Sequence, residues 1–149
     1  MRQRIADELK AALKGGDKPR TQTLRMVNAA IQDRDIANRG AGKPPAGDDE
    51  VMQVLAKMVK QREESAKAFE DGGRAELAAQ ERAEIAVIQA FLPAQMDDAA
   101  MKAAIGDVIR DVGATGLRDM GRTMAALKER HAGEMDFGRA SAIVKQLLQ

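Results

Sequence analysis

The chain has 149 residues, 44% hydrophobic and 32% charged, with a formal net charge of +1. That length fits one ordinary domain or a larger and a smaller one, and the composition is that of a globular protein rich in helix formers. The absence of cysteine excludes disulfides, thiolate metal sites and a cysteine nucleophile, and three Phe with no Trp or Tyr leave the cores to Leu, Ile, Val, Met and Ala.

Apolar positions recur at steps of three and four throughout, and no stretch alternates with period two, so the expectation is an all-α protein. The first helix spans about residues 2–14, with Ile5, Leu9 and Ala12 or Leu13 on one face and Gly15-Gly16 as its stop. This segment, MRQRIADELKAALKG, lacks the apolar core of a secretory signal, and no apolar run approaches a membrane span, so a cytoplasmic location is expected. Asp17 is placed to cap the second helix, with Pro19 in its first turn and Leu24, Val27 and Ile31 inward. That helix ends near Arg39-Gly40, and GAGKPPAG at 40–47 reads as a flexible surface loop.

Asp48 or Asp49 is expected to cap a third helix running to about Asp71, and a fourth spans about 74–92 after the Gly72-Gly73 turn. On the third helix the stripe Val51, Leu55, Met58, Arg62, Ala66 and Phe69 contains a cation. On the fourth, Leu77, Glu81, Ile85, Ile88 and Leu92 contains an anion. If the two fold back antiparallel, counting outward from the glycines sets residue 62 opposite 82 or 83. An ion-pair seam of Arg62 with Glu81 and Glu84 is therefore predicted. It is a structural pairing that fixes register, with an acid/base site as the alternative.

Pro93 marks a boundary between an N-terminal region of about four helices (1–92) and a C-terminal three-helix module (93–149). In the module, Asp97 starts a helix with the stripe Met101, Ile105, Val108 and Val112. Gly116 opens the next, with Asp119 near its positive end and Leu117, Met120, Met124 and Leu127 inward. Asp136 caps the last, with Phe137, Ala140, Val144 and Leu147 inward.

Catalytic constellations are scarce. His131 stands alone at a helix end, without the second ligand spacing that zinc or di-iron needs. Ser65 and Ser141 lie in no nucleophile elbow, and the Gly72-Gly73 pair reads as a turn and not a phosphate cradle. No catalytic residue, metal or cofactor is assigned. Charge is unevenly spread. Residues 1–47 hold ten Lys or Arg against five Asp or Glu, while residues 48–92 hold six against ten. Arg25, Arg34 and Arg39 on the second helix, with Lys18 and Arg20 at its start, and Lys57 and Lys60 on the third, are candidates for phosphate contact. The alternative is a solvated helix surface.

Four segments carry a family resemblance: TLRMVNAAI at 23–31, KQREESAKAFEDGGRAELAAQE at 60–81, the run from Glu84 to FLP at 84–93, and DMGRTMAALKE at 119–129. In order and spacing they resemble the GatB/YqeY family of small bacterial proteins. The resemblance implies a helical N-terminal domain and a C-terminal module similar to the tail of the B subunit of tRNA-dependent amidotransferase, where the tail helps hold tRNA. The kinase-like domain that activates the acyl group in that enzyme has no counterpart in this sequence. The resemblance therefore implies binding of tRNA, or of a tRNA-handling enzyme, and singles out Arg118, Arg122, Lys128, Arg130, Arg139 and Lys145. Two alternatives stay open: an amidotransferase-related carbon–nitrogen ligase using glutamine as amide donor, and a protein-interaction module.

Overall fold

The computed structural model describes residues Met1–Gln149 and contains helices and no strand. The helices are α1 (Arg2–Lys14), α2 (Lys18–Gly40), α3 (Asp48–Asp71), α4 (Ala75–Gln89), α5 (Asp98–Val112), α6 (Met120–Arg130) and α7 (Phe137–Leu148), with a turn of 3-10 helix at Leu117–Asp119. The chain divides into two compact units, Met1–Pro93 and Ala94–Gln149.

Side-chain caps fix three of the seven helix starts. Asp17 accepts from the Arg20 amide at 3.2 Å, Asp97 from Ala100 at 2.7 Å and Asp136 from Gly138 at 2.8 Å, each satisfying an amide that the first turn leaves without a partner. α3 departs from expectation: Gly47 holds the cap position with no side-chain bond, and Asp48, Asp49 and Glu50 instead lie inside the first turn, where the helix dipole favours negative charge. Between α3 and α4, Gly73 takes the left-handed conformation (φ +75°), which lets the Arg74 amide reach back to the Phe69 carbonyl at 2.7 Å.

In the first unit α1 packs on α2, α2 on α3 and α4, and α3 on α4. The core is aliphatic: Ile5, Leu24, Val27, Val51, Leu55 and Ile88 are fully enclosed, and Phe91 joins them from the turn that follows α4. On α1 the inward residue is Ala12, while Leu13 is exposed. α4 is shorter than its sequence pattern suggests, and its buried positions are Ala78, Ile85 and Ile88. Leu77, read as inward, faces out, so the buried face is turned by one residue at the start of the helix. The second unit packs α5, α6 and α7 against one another around Met101, Ile105, Val108, Leu127 and Val144, with Met120 and Met124 partly buried at the edge. Leu148 and not Leu147 closes the α7 stripe. The segment after Gly116 begins as a 3-10 turn, whose tighter winding takes Leu117 off the inward face and leaves it exposed.

Residues 40–47 are not the flexible loop that their Gly and Pro content suggests. The Ala46 amide donates to Asp35 at 2.8 Å, and its carbonyl accepts from Arg2 at 2.8 Å. Arg2 in turn grips Asp35 with two nitrogens, at 2.6 and 2.9 Å. Asn38, buried on α2, donates to the Pro44 carbonyl at 3.2 Å and to Glu50 at 2.9 Å, and its own carbonyl receives the Lys43 amide at 2.8 Å. The Asp35 side chain, with the side chain and carbonyl of Asn38, thus ties down residues 43–46, and a two-pronged arginine gives the clamp direction as well as energy.

The Arg2 guanidinium and then the Ala46 amide hold the Asp35 carboxyl below its ordinary range, and Asn38 and then Arg34 do the same for Glu50. A carboxyl depressed in the folded state contributes stability above its unfolded pKa of about 4 and loses it as pH falls through the lower folded value. The urea midpoint of the wild type is therefore expected to fall as pH drops from 5 toward 3. Asp35→Asn should lower the midpoint at pH 7 and flatten that acid slope. An unchanged slope in the variant would remove Asp35 from the account.

Candidate functional site

The sequence marks Arg62 as a cation on an apolar stripe, and the structure gives it three partners on three helices. Its Nε donates to Glu84 Oε2 at 3.1 Å, one terminal nitrogen donates to the Met58 carbonyl at 3.3 Å, and the other points at Met26 Sδ at 3.5 Å. The side chains of Arg62 and Glu84 are only 15% and 19% exposed. Glu81 is not part of this seam. It sits nearly a turn closer to Gly73, half-buried, and forms no ion pair, because the antiparallel register sets residue 84 across from 62 in place of 82 or 83. A second pair, Glu70 with Arg82 at 2.5 Å, crosses the same hairpin nearer its end on an exposed face. Each partner stabilises the other's charge: hydrogen bonding holds the Glu70 carboxyl low and raises the Arg82 guanidinium. The Arg62 donors are thus taken up by the protein itself, an arrangement suited to fixing helix register.

The basic candidates fall into two groups. Arg25, Arg39 and Lys57 are exposed and form no salt bridge, and Lys60 is exposed on α3 three residues after Lys57. Arg34 is held by Glu50 at 2.9 Å, and Arg20 by Glu8 at 2.6 Å, so part of their charge is already answered. In the second unit Arg118, Lys128 and Lys145 are exposed without a salt bridge. Arg122 pairs with Asp119 at 3.1 Å, Arg130 with Asp111 at 2.6 Å and Arg139 with Asp98. The i,i+3 spacing of Asp119 and Arg122 is a signal readable in the sequence. The Arg34–Glu50 and Arg130–Asp111 pairs join different helices and leave no local trace.

Asp119 organises the start of α6. Its carboxylate accepts from the Thr115 amide at 2.9 Å, and its carbonyl takes the hydroxyl of the fully buried Thr123 at 2.9 Å. The Thr115 amide is the main cause of a lowered Asp119 pKa, with the charges of Arg122 and Arg118 adding to it. His131 follows the last residue of α6, its ring nitrogen 2.8 Å from Glu134. A shallow groove of about 360 Å³ runs beside α5 and α7, lined by Asp98, Lys102, Arg139, Ala142, Ile143 and Gln146. No group of three or more His, Asp or Glu side chains is placed to hold a metal ion, and no helix is long and apolar enough to cross a membrane.

The model of the family described as Yqey-like protein matches the chain over residues 2–148. No curated protein matches the chain.

The partly buried seam yields a stability test. Truncating Arg62 to Ala leaves Glu84 half-desolvated without its partner and should cost about 1–3 kcal/mol, below the range for a fully buried pair because water still reaches both groups. Replacing both residues with Met should cost less than the single truncation, since no charge is then stranded. Glu81→Gln should stay within about 0.5 kcal/mol of wild type. Urea unfolding of the four proteins checks this; an Arg62→Ala cost no larger than that of Glu81→Gln would remove the seam's role.

Proposed function

The chain belongs to the Yqey-like protein family, and on that premise we propose that it is a non-catalytic accessory protein of the cytoplasm that binds tRNA through the phosphate backbone. The observation that carries this reading is the set of exposed cations left without a carboxylate: Arg25, Arg39 and Lys57 in the first unit, and Arg118, Lys128 and Lys145 in the second. Other cations, among them Arg2, Arg20, Arg34, Arg62, Arg130 and Arg139, are engaged within the fold. An unpaired exposed cation can meet a phosphate without first giving up a partner, as a paired one must.

Backbone contact is favoured over base readout by the aromatic inventory. Phe91 is buried, Phe69 and Phe137 are partly buried, and there is no Tyr or Trp, so the chain offers no stacking platform for unpaired bases. A folded RNA recognised by the spacing of its phosphates fits such a surface better than a single strand. The link to a tRNA-dependent amidotransferase, as an associate of the enzyme or of its substrate, follows from the resemblance of α5 to α7 to that enzyme's tail. A ligase reading has less support, because Arg62 and Glu84, the partly buried pair of the first unit's helical hairpin, bond to each other, which leaves them less free to act on a substrate.

Bulk tRNA titrated at increasing salt tests the reading. Affinity should fall steadily as salt rises. Changing Arg118, Arg122 and Lys128 together to Gln should weaken binding at every salt concentration and reduce the log–log slope by roughly two, the two unpaired cations contributing more than Arg122. Failure to bind at low salt, or a variant indistinguishable from wild type, would overturn it.

A further inference from the structure

Beyond the Arg62–Glu84 pair the α3–α4 hairpin leaves the hydrophobic core. The core cluster takes no residue of α3 past Val59 and none of α4 before Ile85. Over residues 63–83 the two helices meet through Ala66 and Ala78, 2% and 0% exposed, and through the Glu70–Arg82 pair. Almost everything else there faces solvent. Two helical stretches of nine residues, each about 13 Å long, would be unstable alone. The packing of α3 on α4 that buries Ala66 and Ala78, the cross-helix pair and the left-handed Gly73 turn hold them as a stiff arm.

The arm carries six carboxylates (Glu63, Glu64, Glu70, Asp71, Glu76 and Glu81) against three cations, Lys67, Arg74 and Arg82. Of the six, Glu70 alone has a salt-bridge partner. Leu77 stands among them with 37% of its surface exposed, and Phe69 is half-buried near the turn. We propose that this acidic arm is a docking element for a protein partner presenting a lysine- and arginine-rich surface with a shallow apolar recess for Leu77. Charge complementarity selects that occupant. Phosphates of a nucleic acid would be repelled by the five unanswered carboxylates, and two arms of like charge would repel each other. A part-exposed leucine on an acidic arm is an arrangement in which an apolar anchor gives affinity and the surrounding charge gives orientation and rate. Preformed rigidity lowers the ordering cost of binding.

The test places a photoreactive phenylalanine analogue at position 77 of the full chain in growing cells, with the same residue at exposed Ala103 of the second unit as control. The expected result is a cross-link specific to position 77, on a partner peptide rich in Lys or Arg. The purified partner should then bind wild type with an affinity that falls with salt. Glu63→Lys combined with Glu76→Lys, and separately Leu77→Asp, should each weaken that binding at least tenfold. All three substituted positions are exposed, and circular dichroism checks that the helices persist. Binding of bulk tRNA by the charge-reversed arm should be unchanged or tighter, which separates this arm from the RNA-facing cations. The proposal is overturned by adducts with a second copy of this chain or with RNA only, by no adduct above the Ala103 control, or by a partner indifferent to the charge reversals.

Discussion

The first unit depends on where its long hairpin stops being a core and becomes a surface, and the Arg62–Glu84 pair marks that point. On one side Leu55, Met58, Val59, Ile85 and Ile88 pack against α1 and α2; on the other only Ala66 and Ala78 are enclosed. Each fully buried aliphatic side chain contributes about 1.5–3 kcal/mol, against about 0–1 kcal/mol for an exposed ion pair, so stability lies on the core side. The ion pair adds register. Facing alanines slide past one another with little penalty, whereas a slip of one helical turn would set Arg62 against Gln80 or Ile88 and strand its charge. The Glu70–Arg82 pair has the opposite polarity across the same two helices, so the two pairs together recognise one alignment.

That division sorts charge as well as packing. Taken whole, a net charge of +1 predicts no partner. Residues that build the core-facing helices leave Arg25, Arg39 and Lys57 open to solvent, while the segment past Arg62 accumulates unpaired carboxylates. The two kinds of surface favour different ligands for the same Coulombic reason, and neither requires a pocket. A chain built from α-helical layers can display charge at helical spacing with precision.

The sequence reveals those features that depend on neighbours in sequence and hides those that depend on distant ones. The all-helical character follows from period-3.6 patterning, and the caps at Asp17, Asp97 and Asp136 follow from residue type and position. Leu77 and Leu147 extend the apolar stripes of α4 and α7 on paper, yet helix ends have neighbours on one side only, and Ala78 and Leu148 take the buried positions. Arg62 is conspicuous because a cation on an apolar stripe demands an answer. Which glutamate supplies it depends on a register shift of one or two residues, below what counting from a turn resolves. The segment at 40–47 has the composition of a loose loop, and nothing local indicates that Arg2, more than forty residues away, bonds its Ala46 carbonyl.

Asp119 sets the terms on which the second unit could meet an anion. Bonds from the Thr115 amide, together with the nearby arginine charges, keep its carboxyl ionised well below neutral pH, so near pH 7 it always offers Arg122 a partner at 3.1 Å. A phosphate approaching the start of α6 would meet Arg118 unencumbered, but would have to compete with Asp119 for Arg122. The same carboxylate stabilises the turn that presents both arginines, so removing it would free a charge and loosen its placement together. Within the second unit such an arrangement would favour several weak contacts above one strong anchor. Spread contacts of that kind follow the outline of a phosphate backbone and discriminate little between base sequences.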